Sequence, residues 1–139
     1  MNKLFSKDLF DRDDFAKELV INYLKARDYL AWVNPNQYGI DVFAEKDDKF
    51  FEIEVEVKHN WKGEKFPYDS VHFSERKRKF IKPSPYNIFW MLNDDWSWGL
   101  LIDGLQMSEA PTIVKDTIYT TAERFIAVPV SQATLLRMK

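Results

Sequence analysis

The residues Glu52-Ile53-Glu54-Val55-Glu56-Val57-Lys58 alternate without a break between charged and β-branched apolar side chains. A strand turns successive side chains to opposite faces, so Ile53, Val55 and Val57 enter a core while Glu54, Glu56 and Lys58 line the other face. Glutamates repeated along one strand face repel one another, and packing alone gains nothing from placing them there. A hard divalent cation held by carboxylate oxygens relieves that repulsion. The stretch thus constrains fold and chemistry together.

The chain has 139 residues, enough for one domain with a real core, and its 45% apolar and 16% aromatic content excludes a disordered polymer. The absence of cysteine excludes a disulfide scaffold, a thiolate metal site and a Cys nucleophile. The two histidines, His59 and His72, are too far apart in sequence to suggest a zinc motif. No apolar signal core or membrane-length run is present, so the expectation is a cytosolic protein with no membrane partner. Net charge is −2, but residues 58–82 hold eight Lys/Arg against three Asp/Glu, whereas residues 1–57 hold eight against thirteen. That asymmetry points to a polyanion held at one place, with a solvated basic helix as the plain alternative.

Asp13 or Asp14 reads as an N-cap for a helix from about Phe15 to Arg27, with Phe15, Leu19, Tyr23 and Leu24 at helical spacing. Tyr29–Val33 reads as a strand, Asn34-Pro35-Asn36 as a turn, and Ile40–Glu45 as a second strand. Lys46-Asp47-Asp48-Lys49 supplies hairpin chemistry before the strand Phe50–Lys58. A loop from His59 to about Asp69 precedes Ser74, which would cap a basic helix Glu75–Ile81 ended by Pro83 and Pro85. Asn87–Leu92 and Trp98–Ile102 form a predicted hairpin around Asn93-Asp94-Asp95. Thr117–Thr121 and Arg124–Val130 are further strand candidates, with a short helix from Ser131. The order predicts an α/β or α+β sheet with helices packed on it.

Asp41 precedes Glu56 by fifteen residues, and pairing of the two strands as a hairpin would bring both carboxylates to one sheet edge. Mg²⁺ takes oxygen ligands, commonly one or two carboxylates completed by water and substrate phosphate. Lys58, on the same strand face as Glu56, could orient or deprotonate an attacking water or offset transition-state charge. Two acids and a lysine therefore suffice for metal-assisted phosphodiester hydrolysis. The plain readings are Asp41 as a turn-capping residue and Glu56–Lys58 as an exposed ion pair worth under about 1 kcal/mol. Glu54 reads as an extra ligand or a solvated neighbour of Glu56, and Glu52 as surface.

The stretch Tyr38-Gly39-Ile40-Asp41 through Glu56-Val57-Lys58, with a helix before it and a basic helix after it, resembles the PD-(D/E)XK nuclease superfamily. Ile40 stands where the motif's name has proline. The resemblance implies a restriction-endonuclease-like central mixed β-sheet flanked by α-helices. It also implies Mg²⁺ (with Mn²⁺ able to substitute) on Asp41 and Glu56, and Lys58 beside the nucleophilic water. Some members add an acid from the first helix, for which Glu18 is the candidate. The basic stretch resembles the helix following the catalytic lysine, with Arg76, Lys77 and Lys79 as phosphate contacts and His59 as another. Trp61, Phe66 and Tyr68 read as base-stacking residues or as loop packing, and Trp90, Trp96 and Trp98 as core or interface. Gln37 is a further open position.

The expected activity is that of a Mg²⁺-dependent DNA endonuclease, of phage or mobile-element type and then acting in the host cytoplasm. With no room for a sequence-reading domain, it would be directed by DNA structure or by a recruiting partner. Cutting both strands symmetrically needs two sites, which predicts a homodimer. The competing expectations are an inactive nuclease fold serving as a DNA- or protein-binding module, and a protein-interaction domain whose basic segment meets an acidic partner.

Overall fold

A computed structural model describes residues 3–138. The long helix α1 (Lys3–Lys25) leads into β1 (Leu30–Val33), β2 (Val42–Lys46) and β3 (Lys49–Lys58). After a loop come β4 (Ser70–Ser74), a 3₁₀ segment (Glu75–Phe80), β5 (Asn87–Asn93) and β6 (Trp98–Asp103). The chain ends with α2 (Gly104–Glu109), β7 (Thr112–Lys115), β8 (Glu123–Pro129), a 3₁₀ turn (Val130–Gln132) and β9 (Thr134–Arg137). No helix among the described residues is long and apolar enough to cross a membrane.

The architecture is mixed α/β. Six strands form one sheet in the order β1-β2-β3-β5-β6-β9, and three form a second in the order β4-β8-β7. All neighbours in the large sheet are antiparallel except β3 and β5, which run parallel and pair Glu52 with Asn87 through Lys58 with Asn93. A parallel pair needs a long crossover. Here residues 59–86 provide it, and they carry β4 and the 3₁₀ segment with them.

The two sheet faces bury different partners. On one, Ala16, Val20, Ile21 and Leu24 of α1 pack against Ala31, Val42, Ala44, Ile53, Val55, Trp90 and Leu92. On the other, Phe89, Met91, Leu100 and Ile102 pack against Val71, Phe73, Ile126 and Val128 of the small sheet, with Trp61 and Phe66 from the loop. The second face is therefore covered by strands where the sequence led us to expect helices. Trp61 is fully buried and Phe66 nearly so, while Tyr68 stays 48% exposed. Trp90 is in the core, and Trp96 and Trp98 are half-buried.

Several local expectations are corrected. Asp13 and Asp14 do not cap α1 but sit inside it, because residues 3–12 contain no Gly or Pro to stop a helix that starts earlier. The basic segment is a six-residue 3₁₀ helix, entered directly from β4, whose Ser74 hydroxyl accepts from the Arg76 N–H at 3.4 Å. Thr117–Thr121 is not a strand: the Thr117 hydroxyl accepts from the Tyr119 and Thr120 N–H groups, both at 3.2 Å, and this local turn displaces sheet pairing. The strand lies earlier, at β7. No helix follows Ser131; the chain makes one 3₁₀ turn and pairs along β6 as β9, satisfying an otherwise open sheet edge. The β2–β3 hairpin is as expected, with Asp47 and Asp48 at φ 52° and 63°, the pair of left-handed residues a two-residue turn requires.

Asn93, fully buried at the end of β5, ties the crossover loop to the β5–β6 turn. Its amide donates to Gly63 O (2.9 Å) and Ser97 Oγ (3.1 Å), and its carbonyl accepts from the Ser97 (2.9 Å) and Trp98 (3.0 Å) N–H groups. Asn93→Ala leaves several of these groups buried and unpaired, so we expect a loss of about 2–3 kcal/mol in chemical denaturation. A loss below roughly 0.5 kcal/mol would show that water replaces the amide.

Candidate functional site

Antiparallel pairing of Val42 with Ile53 places Asp41, one residue before β2, opposite Glu54. There the hydrogen-bonded strand has ended, and the Asp41 side chain takes over: its Oδ2 accepts the Val55 N–H at 2.8 Å. Its Oδ1 lies 3.5 Å from the Lys17 ammonium of α1. Gly39 and Asn34 hold the approach, with the Asn34 amide donating to Ile40 O at 2.9 Å. The open space beside Gly39 is filled by that amide, since a Cβ there would come within 2.6 Å of Asn34 Nδ2.

The carboxylate nearest Asp41 is thus that of Glu54, and it is only 4% exposed. Glu54 Oε2 accepts a hydrogen bond from the Lys77 ammonium, whereas Oε1 is buried without a partner. Burial, opposed by the Lys77 charge and reinforced by that of Asp41, pushes the Glu54 carboxyl up to about 7. A protonated Glu54 is close enough to Asp41 to hydrogen-bond with it. Glu56 is half-buried, 3.9 Å from Lys77, and its carboxyl is likewise raised by burial against the pull of Lys77 and Lys58. Burial alone would lower the Lys77 ammonium, but Glu54 and Glu56 outweigh it and raise the net value.

Lys77 reaches this cluster because of helix type. At three residues per turn Ser74, Lys77 and Phe80 share one row, so Lys77 turns inward under the sheet while Arg76 and Lys79 remain exposed. Arg76 Nε lies 3.3 Å from Ser74 Oγ, and Lys79 stands 5.0 Å from the Phe80 ring centroid. Of the three basic residues proposed from sequence for phosphate contact, Lys77 is engaged with carboxylates. Lys58, two residues beyond Glu56, stands 5.5 Å from the Tyr68 ring centroid, four residues along β3 from Glu54, which lies opposite Asp41. Glu52 pairs with Lys82 at 2.8 Å.

Glu18 is exposed on α1. The helix acid that does enter the cluster's field is Asp13, whose carboxyl is raised by partial burial and by Asp41 against Lys17, Lys77 and His59. Asp13 and Lys17 lie one turn apart on α1, so they share a face. Sequence reading misses Asp13 once it is taken for a cap, and misses Lys77 as a cluster member once the basic segment is taken for an α-helix. His59 is half-exposed, with Nδ1 3.7 Å from Asp94 Oδ1, and Arg12 lies 3.4 Å from the same oxygen. Gln37 is exposed.

Chemically the cluster is a pair of facing carboxylates with one orphaned oxygen, a third carboxylate beside them and two ammonium counter-ions, Lys77 on Glu54 and Lys17 on Asp41. Among the described residues no group of three or more His, Asp or Glu side chains is arranged to hold a metal ion by itself. Asp41 and Glu54 are the donors that could share one. Neither a protein-family model nor a curated protein sequence matches the chain.

A carboxyl whose folded pKa exceeds its unfolded value supports folding below the unfolded value, and that support is lost as pH rises through the folded one. For Glu54 the window runs from about 4.5 to about 7. Metal-free protein should therefore lose stability across this window. Replacing Glu54→Gln should flatten the fall by on the order of 1–3 kcal/mol in denaturation at stepped pH. Parallel profiles for the two proteins would refute the buried-charge assignment.

Proposed function

We propose that the chain is a Mg²⁺-dependent DNA endonuclease with a restriction-endonuclease-like core, and that Asp41 and Glu54 form the heart of its site. The observation that carries this reading is the juxtaposition of two carboxylates with a buried, unpaired Glu54 oxygen on the polar face of β3. Folding alone gives little return for such an arrangement: Glu54 Oε1 gains a partner only when the carboxyl is protonated and turned to Asp41, and the ionised oxygen left unpaired costs about 1–3 kcal/mol. The mixed sheet, entered through a helix and an acid-bearing hairpin, is in keeping with that architecture. The small sheet on the second face departs from helical flanking.

The donors fit the proposed ion: they are hard oxygens, and two carboxylates completed by water and phosphate oxygens suit Mg²⁺ or Mn²⁺. A bound divalent cation would supply charge stabilisation at phosphorus and a lowered pKa for water. Asp41, fixed by the Val55 N–H, and Glu54 would hold it. Glu56, with its raised proton affinity, would accept a proton from the attacking water. Lys77 stays protonated at neutral pH, so its part is electrostatic. Lys58, with no ion-pair partner among the described residues, would hold a phosphate oxygen. The exposed Arg76 and Lys79 would contact the DNA backbone, giving affinity that falls with salt. Direction by DNA structure or by a recruiting partner, and a homodimer for symmetric cutting, belong to the same proposal.

The Lys77–Glu54 pair also favours a second reading, a binding module of the same fold in which the ammonium permanently replaces a cation. Thermal unfolding separates the two. Mg²⁺ or Mn²⁺ at a hundred times its Kd should stabilise the native protein by about 2.7 kcal/mol. The effect should be large at pH 8, weak at pH 5 where Glu54 is protonated, and absent in Asp41→Asn.

Cleavage of plasmid, single-stranded and branched DNA provides the activity test. We expect Mg²⁺-dependent products, arrest by chelator, and losses of about 10²–10⁴-fold in Asp41→Asn, Glu54→Gln and Lys58→Ala proteins that remain folded. Metal-independent DNA retention with no cleavage of any substrate would overturn the hydrolase and leave the binding module.

A further inference from the structure

Beyond Glu56 the polar face of β3 opens into a recess of about 210 Å³, lined by Lys58, Asn60, Tyr68, Ser70, His72 and Lys115. Its chemistry is the inverse of the acidic cluster's. Two ammonium groups enter it, and no carboxylate lines it. Neither Lys58 nor Lys115 has an ion-pair partner among the described residues. Lys115 lies 3.0 Å from His72 Nδ1. Burial, then the charges of Lys115 and Lys58, lower the His72 pKa, so the imidazole is neutral at pH 7. With Lys115 donating to Nδ1, the ring proton sits on Nε2 as a further donor. Asn60 donates its amide to the Tyr68 hydroxyl at 2.6 Å, which leaves the phenolic proton free to donate. The Ser70 hydroxyl completes the wall.

Like charges gathered in a recess with donors converging on them are unfavourable until an anion arrives. A tetrahedral oxyanion with several acceptor oxygens satisfies this set where a chloride ion satisfies little of it. Spacing supplies the rest. Glu54, at the heart of the acidic cluster, and Lys58 are four residues apart on one strand face, about 13 Å, comparable to two phosphate steps along an extended nucleic-acid strand. We propose that this recess binds a phosphate group of the nucleic-acid strand about two steps along from the one held at the acidic cluster, setting the strand's register and direction across β3. The inference rests on the nuclease reading for the carrier of the phosphate, and on the recess itself for the phosphate. The carrier is either an internal phosphodiester or a terminal 5′-phosphate.

The test uses the full chain with chelator present, so no catalytic step enters it. Inorganic phosphate is titrated while the imidazole resonances of His72 are followed by NMR, against sodium chloride at matched ionic strength. Thymidine dinucleotides with and without a 5′-phosphate are titrated in the same way. We expect a saturable His72 shift with phosphate but not with chloride, and at least tenfold weaker binding in Lys115→Gln, with His72→Gln read by calorimetry as a second variant. Both variants should keep the Mg²⁺-induced thermal shift. Tighter binding of the 5′-phosphorylated dinucleotide assigns a terminal phosphate, and equal binding assigns an internal one. A His72 response no larger than chloride's, or unchanged affinity in both variants, overturns the recess while leaving the nuclease reading intact. Saturable phosphate binding in a protein that cleaves nothing retains the recess and removes the nuclease.

Discussion

β3 has two faces with opposite demands, and the site exists because both are met on one strand. Ile53, Val55 and Val57 turn toward α1, where Ile53 and Val55 are buried against the helix and Val57 packs beside them. That packing fixes the pleat. A slip of one residue would drive Glu54 and Glu56 into the apolar layer, so the register is enforced by the core rather than by the charges. Pairing on both sides, antiparallel to β2 and parallel to β5, removes the remaining freedom. The carboxylates are therefore held against their own repulsion by hydrophobic contacts on the reverse face of the strand.

The crossover supplies what the strand lacks. Between β3 and β5 the chain must traverse the second face, and it does so with Trp61 and Phe66 buried in the inter-sheet core. β4 then delivers Lys77 beneath Glu54, and the loop delivers Tyr68 beside Lys58. Continuous α-helix over Glu75–Phe80 would leave Lys77 about a sixth of a turn short of Ser74 and dissolve the row that carries it inward. Local helix type thus decides whether this ammonium meets carboxylates or solvent.

Periodicity made the hairpin legible: alternation in Glu52–Lys58 and two turn-forming aspartates give β2, β3 and their polar face directly from sequence. The apolar runs of β5 and β6 were equally plain. What sequence concealed depended on distant partners. Thr112–Lys115 is a strand because β8 offers it an edge, not because its own pattern insists on it. β9 hides for the same reason, since Thr134-Leu135-Leu136-Arg137 is ambiguous between helix and strand until β6 is beside it. Within the site, Asp41 and the polar face of β3 were readable, but the partner opposite Asp41 follows from register, which one residue decides. Asp13 and Lys77 enter through helix phase, which sequence leaves open when the helix ends are misplaced.

Lys77 bears most directly on how such a cluster remains folded. Two carboxylates facing each other with nothing between them would be strongly destabilising, and the fold answers by raising the proton affinity of Glu54 and by lending it an ammonium. Each answer is reversible: a proton can leave, and an ammonium on a flexible stem can withdraw. A rigid Arg in a two-pronged bond to the same carboxylate would be a more permanent partner. On the proposed reading Asp41 and Glu54 would hold a divalent cation, and Glu54 would give up both its proton and its Lys77 contact to do so. The freed Lys77 charge would then face whatever anion the cation had brought with it. On the proposed reading, the Lys77 contact that stabilises the carboxylates is thus also one that can turn toward phosphate.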